Sequence, residues 1–305
     1  MPSFHPDQDH VVNRDSDDGL GSTRATHLNA VEDYYEETWG EYRAVWMNSG
    51  NRALHFGYWD GEVRSHSESL NRMNQIMATA ASIGPDSHVL DAGCGVGGSA
   101  MWLAEHLGTH VQGLTISTDQ SIRARRYVRQ RSLDHLVEVS QGDFLHTEYS
   151  DGSFDVAWAQ ESLVHEPDKR AFFAEIHRVL KPGGRLVIED WFAERPAVTN
   201  REIKVLDAWT AGCAVSPLIS VEHLLNIARP SGFRVVEQIN LEPFVRRSVM
   251  RLFQTSLLLY PLMFVLYKRG IRSPAQHKHL LGAFHAHEAF YRNLWSVHLI
   301  VLEKP

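Results

Sequence analysis

The run VLDAGCGVGGSA at residues 89–100 places one acid, Asp91, ahead of three alternating glycines, Gly93, Gly95 and Gly97. Glycines so spaced allow backbone angles and a close ligand approach that a Cβ would block. A helix opening behind them offers free N–H groups to polar or anionic ligand atoms. Gly93, Gly95 and Gly98 also satisfy G-x-G-x-x-G, which alone is a weak sign of dinucleotide binding. Farther along, Gln160-Glu161-Ser162-Leu163-Val164-His165-Glu166 brings three ionisable groups together, able to accept or deliver a proton. In Gly142-Asp143-Phe144 a further carboxylate could accept a hydrogen bond from an adenine amino group.

These residues need a frame. Short apolar runs at 88–91, 111–114, 137–140, 154–158 and 184–189 alternate with helical patterns at 97–107, 118–131 and 169–180. Such alternation predicts βαβ units on a parallel sheet, an α/β doubly wound Rossmann-like fold with seven mostly parallel strands. Lys181-Pro182-Gly183-Gly184 reads as the turn that ends one helix and launches the next strand. Helical rhythms at 27–47 and 67–83 precede the core, with an aromatic loop at 54–61 between them. Beyond Asp190, helices are expected at 199–212 and 221–229 and a strand at 233–239. A long helical insertion at 244–294 then precedes a last strand at 296–302. The expected organisation is a mobile tail (1–26), a helical N-terminal lid (27–83), the cofactor domain (84–192), and the remaining strands with an inserted helical cap (193–305).

Net charge of −7 argues against nucleic acid, whose phosphates demand surplus Lys and Arg. Two cysteines can build neither a disulfide framework nor a zinc cluster, and suit a reducing compartment. The eighteen histidines show no spacing with a credible metal geometry, so no metal is expected. The N-terminus lacks a signal-peptide pattern, so the chain is read as cytoplasmic. The apolar stretch 252–266, interrupted by Gln254 and Pro261, falls short of the ~20 residues of a spanning helix and is read as part of the cap. A homo-oligomer is left open.

A dinucleotide fold usually sets an acid about 20 residues after the glycines, for the ribose hydroxyls. Here the second strand ends in Leu114-Thr115-Ile116-Ser117, without one. The ordered set DAGCGVGG, GLTIS followed by Gln120, GDF, FDVAWAQESLVHEPDK and LKPGG resembles the class I S-adenosylmethionine-dependent methyltransferases. More narrowly, it is similar to sterol and tocopherol C-methyltransferases and isoprenoid C-methyltransferases. The resemblance implies S-adenosylmethionine as cofactor, with ribose contacts carried onto Ser117 and Gln120. Asp91 would lie near the methionine ammonium and Asp143 and Phe144 beside adenine. Thr115, Gln160 and the three glycines complete the expected cofactor contacts.

Acceptors in such enzymes are often alkenes, which need no base before attack but leave a carbocation that must then lose a proton. Aromatic faces stabilise such a cation by about 1–2 kcal/mol per well-placed ring, and a carboxylate or imidazole takes the proton. Glu161 is the first choice for that acceptor and His165 the second, with Glu166 read as a helix cap. Tyr35, Trp39, Phe56 and Tyr58 are the expected aromatic contacts to substrate. The expected activity is thus C-methylation of an isoprenoid or prenylated small molecule, with cyclisation as an optional sequel. The alternatives are methylation of a phenolic ring, oxygen or nitrogen and, from another class, a nicotinamide-dependent oxidoreductase. The expected partner is a small hydrophobic substrate.

Overall fold

Seven strands form in the computed structural model, which describes residues 17–47 and 50–305. They are β1 (His88–Ala92), β2 (His110–Thr115), β3 (Val137–Gln141), β4 (Phe154–Gln160), β5 (Leu180–Ala193), β6 (Arg234–Asn240) and β7 (Trp295–Glu303). Their order is β3-β2-β1-β4-β5-β7-β6, and only β7 runs antiparallel to its neighbours. From β1 the chain winds outward through β2 to β3, then returns to the other side of β1 with β4. That reversal parts the loops beyond the carboxyl ends of β1 and β4, which is where ligands sit in such sheets. This is the doubly wound architecture expected from the sequence.

The central strands read as near-continuous apolar runs because helices cover both faces. On one face α5 (Lys169–Val179) and α7 (Val221–Ala228) bury Phe172, Phe173, Ile176 and Leu224. On the other, α2 (His66–Ala80), α3 (Gly98–Leu107) and α4 (Thr118–Gln130) bury Met73, Met77, Met101 and Leu103. Each such side chain contributes roughly 1.5–3 kcal/mol by leaving water. Helix starts follow local chemistry. Ser65 and Ser117 accept hydrogen bonds from the backbone N–H of Glu68 and Gln120, and Asp168 accepts one from that of Ala171. Thr199 and Glu202 form a capping box at the start of α6 (Asn200–Gly212), as Ser273 and Gln276 do for α9 (Pro274–Tyr291).

Four details depart from expectation. Helix α1 (Asp17–Glu41) starts inside the segment read as a tail, and residues 1–16 lie outside the described residues. One π-helical turn, Tyr42–Trp46, extends it. The cap helix α8 (Glu242–Lys268) carries Pro261 within its length without ending there. Its 27 residues make it, among the described residues, the one helix long and apolar enough to cross a membrane. Its Leu252, Leu259 and Met263 nevertheless line an internal cavity, while Leu257, Leu258 and Leu262 are exposed. Finally, the 181–184 turn is a slack segment inside β5: Leu180 pairs with Phe154, but the next pair is Arg185 with Val156.

The N-terminal segment packs directly on the core at Gly98, where a Cβ would lie 2.6 Å from the Arg52 carbonyl oxygen. Backbone cannot yield as a flexible side chain can, so Gly98→Ala should destabilise the fold by about 1–3 kcal/mol. Thermal denaturation should show a drop of several degrees, and an unchanged midpoint would mean that the lid is not docked there.

Candidate active site

One cavity of about 310 Å³ opens above the β1/β4 reversal, roofed by α1, the 51–56 segment, α8 and α9. Asp91 ends β1, is only 3% exposed, and leaves Oδ2 buried without a hydrogen-bond partner. Burial lifts its carboxyl to about 7, against the opposing effect of the Ala100 N–H. The chain then turns sharply, with both Gly93 and Cys94 N–H donating to the Leu114 carbonyl. At Gly93, φ is +97° and a Cβ would sit 2.4 Å from that of Ser162, so two conditions require glycine. Gly93 and Gly95 line the cavity, whereas Gly97 serves as the left-handed N-cap of α3 and does not.

At the end of β2 the Thr115 hydroxyl donates to Gln120 Oε1 (2.7 Å) and Ser117 caps α4, so all three are held in place on the cavity wall. Asp143 and Phe144, after β3, line its far side. Asp143 is not free, because Arg24 of α1 donates to Oδ2 (2.7 Å) and Oδ1 (3.0 Å). The Leu145 N–H takes a second site on Oδ1, which leaves one acceptor position on Oδ2. The same guanidinium grips Glu166, which also accepts from the Asp168 N–H. Glu166 therefore does not cap α5 as expected; Asp168 does, and Glu166 ties the lid down.

Glu161 and His165 follow β4, and both line the cavity. Glu161 has φ of +45°, its N–H donates to the Glu189 carbonyl (2.7 Å), and its Oε1 accepts from the Phe56 N–H (2.6 Å). Burial, helped by the charge of Asp190, pushes its carboxyl well above the usual range, and burial raises Asp190 itself to about 7. His165 lies with Nδ1 2.9 Å from the Ala214 carbonyl, which makes Nδ1 the donor and Nε2 an acceptor for the Tyr35 hydroxyl (3.0 Å). Burial lowers this imidazole to about 4, so it is neutral at physiological pH.

Of the aromatics expected to meet substrate, Tyr35 and Phe56 line the cavity, together with Tyr34, Tyr42, Trp46, Phe144, Trp191 and Trp209. Trp39 and Tyr58 do not. Trp39 faces α4, where Arg123 covers its ring at 4.5 Å, and Tyr58 stacks on Phe244 at 4.3 Å. Aromatic periodicity marked the helix and loop but not which face turns inward. Trp191 was missed because the strand pattern was closed at Glu189, two residues short of it. Arg272 and His279 were missed because nothing local marks them.

Asp91 and Glu161 face one end of this cavity, with Glu189 and Asp190 buried behind that wall, and among the described residues Lys169, acting on Asp190, is the basic side chain near these carboxyls. A ligand with an ammonium and a sulfonium fits, since its charges match the orphaned Asp91 Oδ2 and its neighbours. Ser117, Gln120 and Asp143, the expected ribose and adenine contacts, all line this same cavity. Among the described residues no cluster of three His, Cys, Asp or Glu could hold a metal ion.

Residues 90–188 match a family model described as a methyltransferase domain. Methyltransferase GfsG of Streptomyces halstedii is 35% identical over 198 residues, 64% of this chain and 68% of that protein. The 24-methylenesterol C-methyltransferase 2 of Oryza sativa subsp. japonica is 33% identical over 71% of this chain, which spans only 57% of that enzyme's length. Among solved structures, the [4+2]-cyclase SpnF superposes with a TM-score of 0.75 at 25% identity, covering 90% of this chain and 95% of that one. These likenesses set the nicotinamide alternative aside.

Two binding measurements follow from the geometry. Asp91 must be ionised to hold an ammonium, so affinity for S-adenosylhomocysteine should be full above about pH 7 and fall as pH drops through that value. The slope should approach tenfold per pH unit. Asp91→Asn should bind weakly with a flat profile, and calorimetry showing the same slope in parent and variant would reject the role. Asp143→Ala should weaken the same ligand by about tenfold or more, through loss of a charge-assisted hydrogen bond, with circular dichroism unchanged.

Proposed function

The chain belongs to the class I S-adenosylmethionine-dependent methyltransferases, and on that premise we propose that it methylates carbon at a double bond of an isoprenoid-like small molecule. The observation that carries the reading is Glu161: a carboxyl on the cavity wall, beside aromatic rings, whose side chain accepts from the Phe56 N–H. The cofactor supplies an electrophilic methyl group on a cationic sulfur. What the residues of this chain supply is a place for positive charge. Phe56 and Trp191 lie 5.8 Å apart and Trp191 and Trp209 5.2 Å, a continuous π surface over that wall. Once the substrate alkene forms its new C–C bond and the C–S bond breaks, the positive charge resides on a substrate carbon. Aromatic faces and the neighbouring carboxylates stabilise it.

Glu161 is neutral in an empty cavity near pH 7 because burial disfavours its charge. A cationic ligand reverses that balance, so it ionises beside the charge it must neutralise. It can then take a proton from the carbon next to the cationic centre and leave a new double bond. The sterol relative, named for C-methylation, supports this choice of acceptor.

A second reading rests on Tyr35 and His165. Their 3.0 Å contact could relay a proton from an acceptor hydroxyl to a neutral imidazole, which suits methylation of oxygen.

Two variants separate the readings. Glu161→Gln keeps the shape and should bind S-adenosylhomocysteine normally while turnover falls by roughly 10²–10⁴, or while altered alkenes are released. His165→Ala should have the lesser effect. Full activity of Glu161→Gln with a dead His165→Ala, measured with labelled cofactor against prenyl and phenolic acceptors, would transfer the base to His165.

A further inference from the structure

Away from Glu161 the cavity reaches a second polar group, built by the end of α1, the π-helical turn and α9. The Tyr34 hydroxyl lies 2.7 Å from that of Tyr42 and 2.8 Å from His279 Nδ1. His279 Nε2 is 3.8 Å from Glu41, and Arg272 Nη2 is 2.5 Å from the same carboxylate. Arg272 also donates to the Gln276 carbonyl (2.7 Å), yet its Nε is buried with no partner. All five side chains line the cavity, and Arg272 is only 9% exposed.

The charge of this end closes on itself. Glu41 matches Arg272, burial keeps His279 neutral by lowering it to about 4, and burial holds both phenols protonated. The other arginines on the wall are engaged elsewhere: Arg24 between Asp143 and Glu166, and Arg52 over the Tyr127 ring at 4.3 Å. A diphosphate seated here would be desolvated against the Glu41 carboxylate with no unmatched cation to meet it. A neutral oxygen suits the cluster. If Tyr34 donates to His279 Nδ1, Tyr42 donates to Tyr34, so the Tyr42 oxygen stands as acceptor and Arg272 Nε–H as donor. A hydroxyl group serves both.

We propose that the Tyr34–Tyr42–His279–Arg272 cluster anchors a neutral oxygen, a hydroxyl, at one end of an apolar methyl acceptor, and so sets which carbon lies beside Glu161. This rests on the reading of the acceptor as isoprenoid-like. Tyr42 and His279 are then positioning residues that select among acceptors without touching the reacting atoms.

Three probes with one C15 chain test it on the full-length protein: farnesol, farnesyl diphosphate with magnesium, and farnesene. Farnesol should show a KM about tenfold below that of farnesene, and the diphosphate should be the poorest. Tyr42→Phe should raise the farnesol KM about 3- to 10-fold, the worth of one hydrogen bond, and spread its methylation over more than one carbon, with the farnesene KM unchanged. His279→Leu should act the same way, and a thermal shift with S-adenosylhomocysteine verifies that each variant is folded. A parent that prefers the diphosphate overturns the anchor alone, as does a Tyr42→Phe variant that treats the three probes as the parent does. If no prenyl probe is methylated while a phenol or amine is, both the anchor and the isoprenoid reading fall.

Discussion

Buried carboxyl groups at the carboxyl ends of β1, β4 and β5 govern this molecule. Asp91, Glu161, Glu189 and Asp190 are removed from water, and burial is the foremost cause of the upward displacement of each. Leaving ionised carboxylates uncompensated in a low dielectric costs several kcal/mol apiece, so in an empty cavity Glu161 and Glu189 favour the protonated form while Asp91 and Asp190 stand near their midpoint at neutral pH. Such a cluster has no structural merit, because neighbouring like charges oppose one another. It becomes favourable when a cationic ligand arrives, and the glycine turn between β1 and α3 clears the volume for one. Charge on the ligand and charge on the wall are each other's solvent.

Burial of these groups depends on the N-terminal lid. Phe56 supplies the N–H that Glu161 accepts, and the Arg52 carbonyl lies so close to Gly98 that no side chain fits between them. Arg24 reaches from α1 to both Asp143 and Glu166, joining the lid to the sheet edge through two carboxylates at once. The lid and the expected adenine site therefore share Asp143. Because one acceptor position on Oδ2 stays open, the Arg24 contact and occupation of that position are compatible.

The sequence made the cofactor half legible because its determinants are local. A glycine that needs positive φ, an acid near the end of a strand and a serine that caps a helix are each marked by their immediate neighbours in sequence. Gly93, Asp91 and Ser117 occupy those positions. The substrate half was less legible for the converse reason. Tyr35 and Trp39 sit four apart on one helix, yet one points into the cavity and the other packs beneath Arg123. Only the docking of α1 on the sheet decides that. The pairing of Glu41 with Arg272 joins residues more than two hundred positions apart, and no spacing rule reaches so far. Pro261 read as an interruption, but a helix flanked by α9 tolerates one missing donor, and α8 runs on past it.

The two ends of the cavity solve opposite electrostatic problems with similar side chains. Near β4 the acids outnumber the bases, and the excess waits for positive charge from outside the chain. Near α9 the single acid has its own guanidinium at 2.5 Å, so nothing charged is wanted there. A buried ion pair is often no more stabilising than apolar residues of the same size, which leaves specificity as its advantage. Here the pair lies beside His279, whose Nδ1 meets the hydroxyl of Tyr34 and, through it, that of Tyr42, so the cluster gives hydrogen-bonding direction to a region otherwise walled by Leu259, Met263 and Leu280. A molecule spanning the cavity meets neutral hydrogen-bonding groups at one end and a demand for cation at the other. That polarity fixes its direction before any chemistry begins, and it requires no more than the separate charge balances of two small clusters.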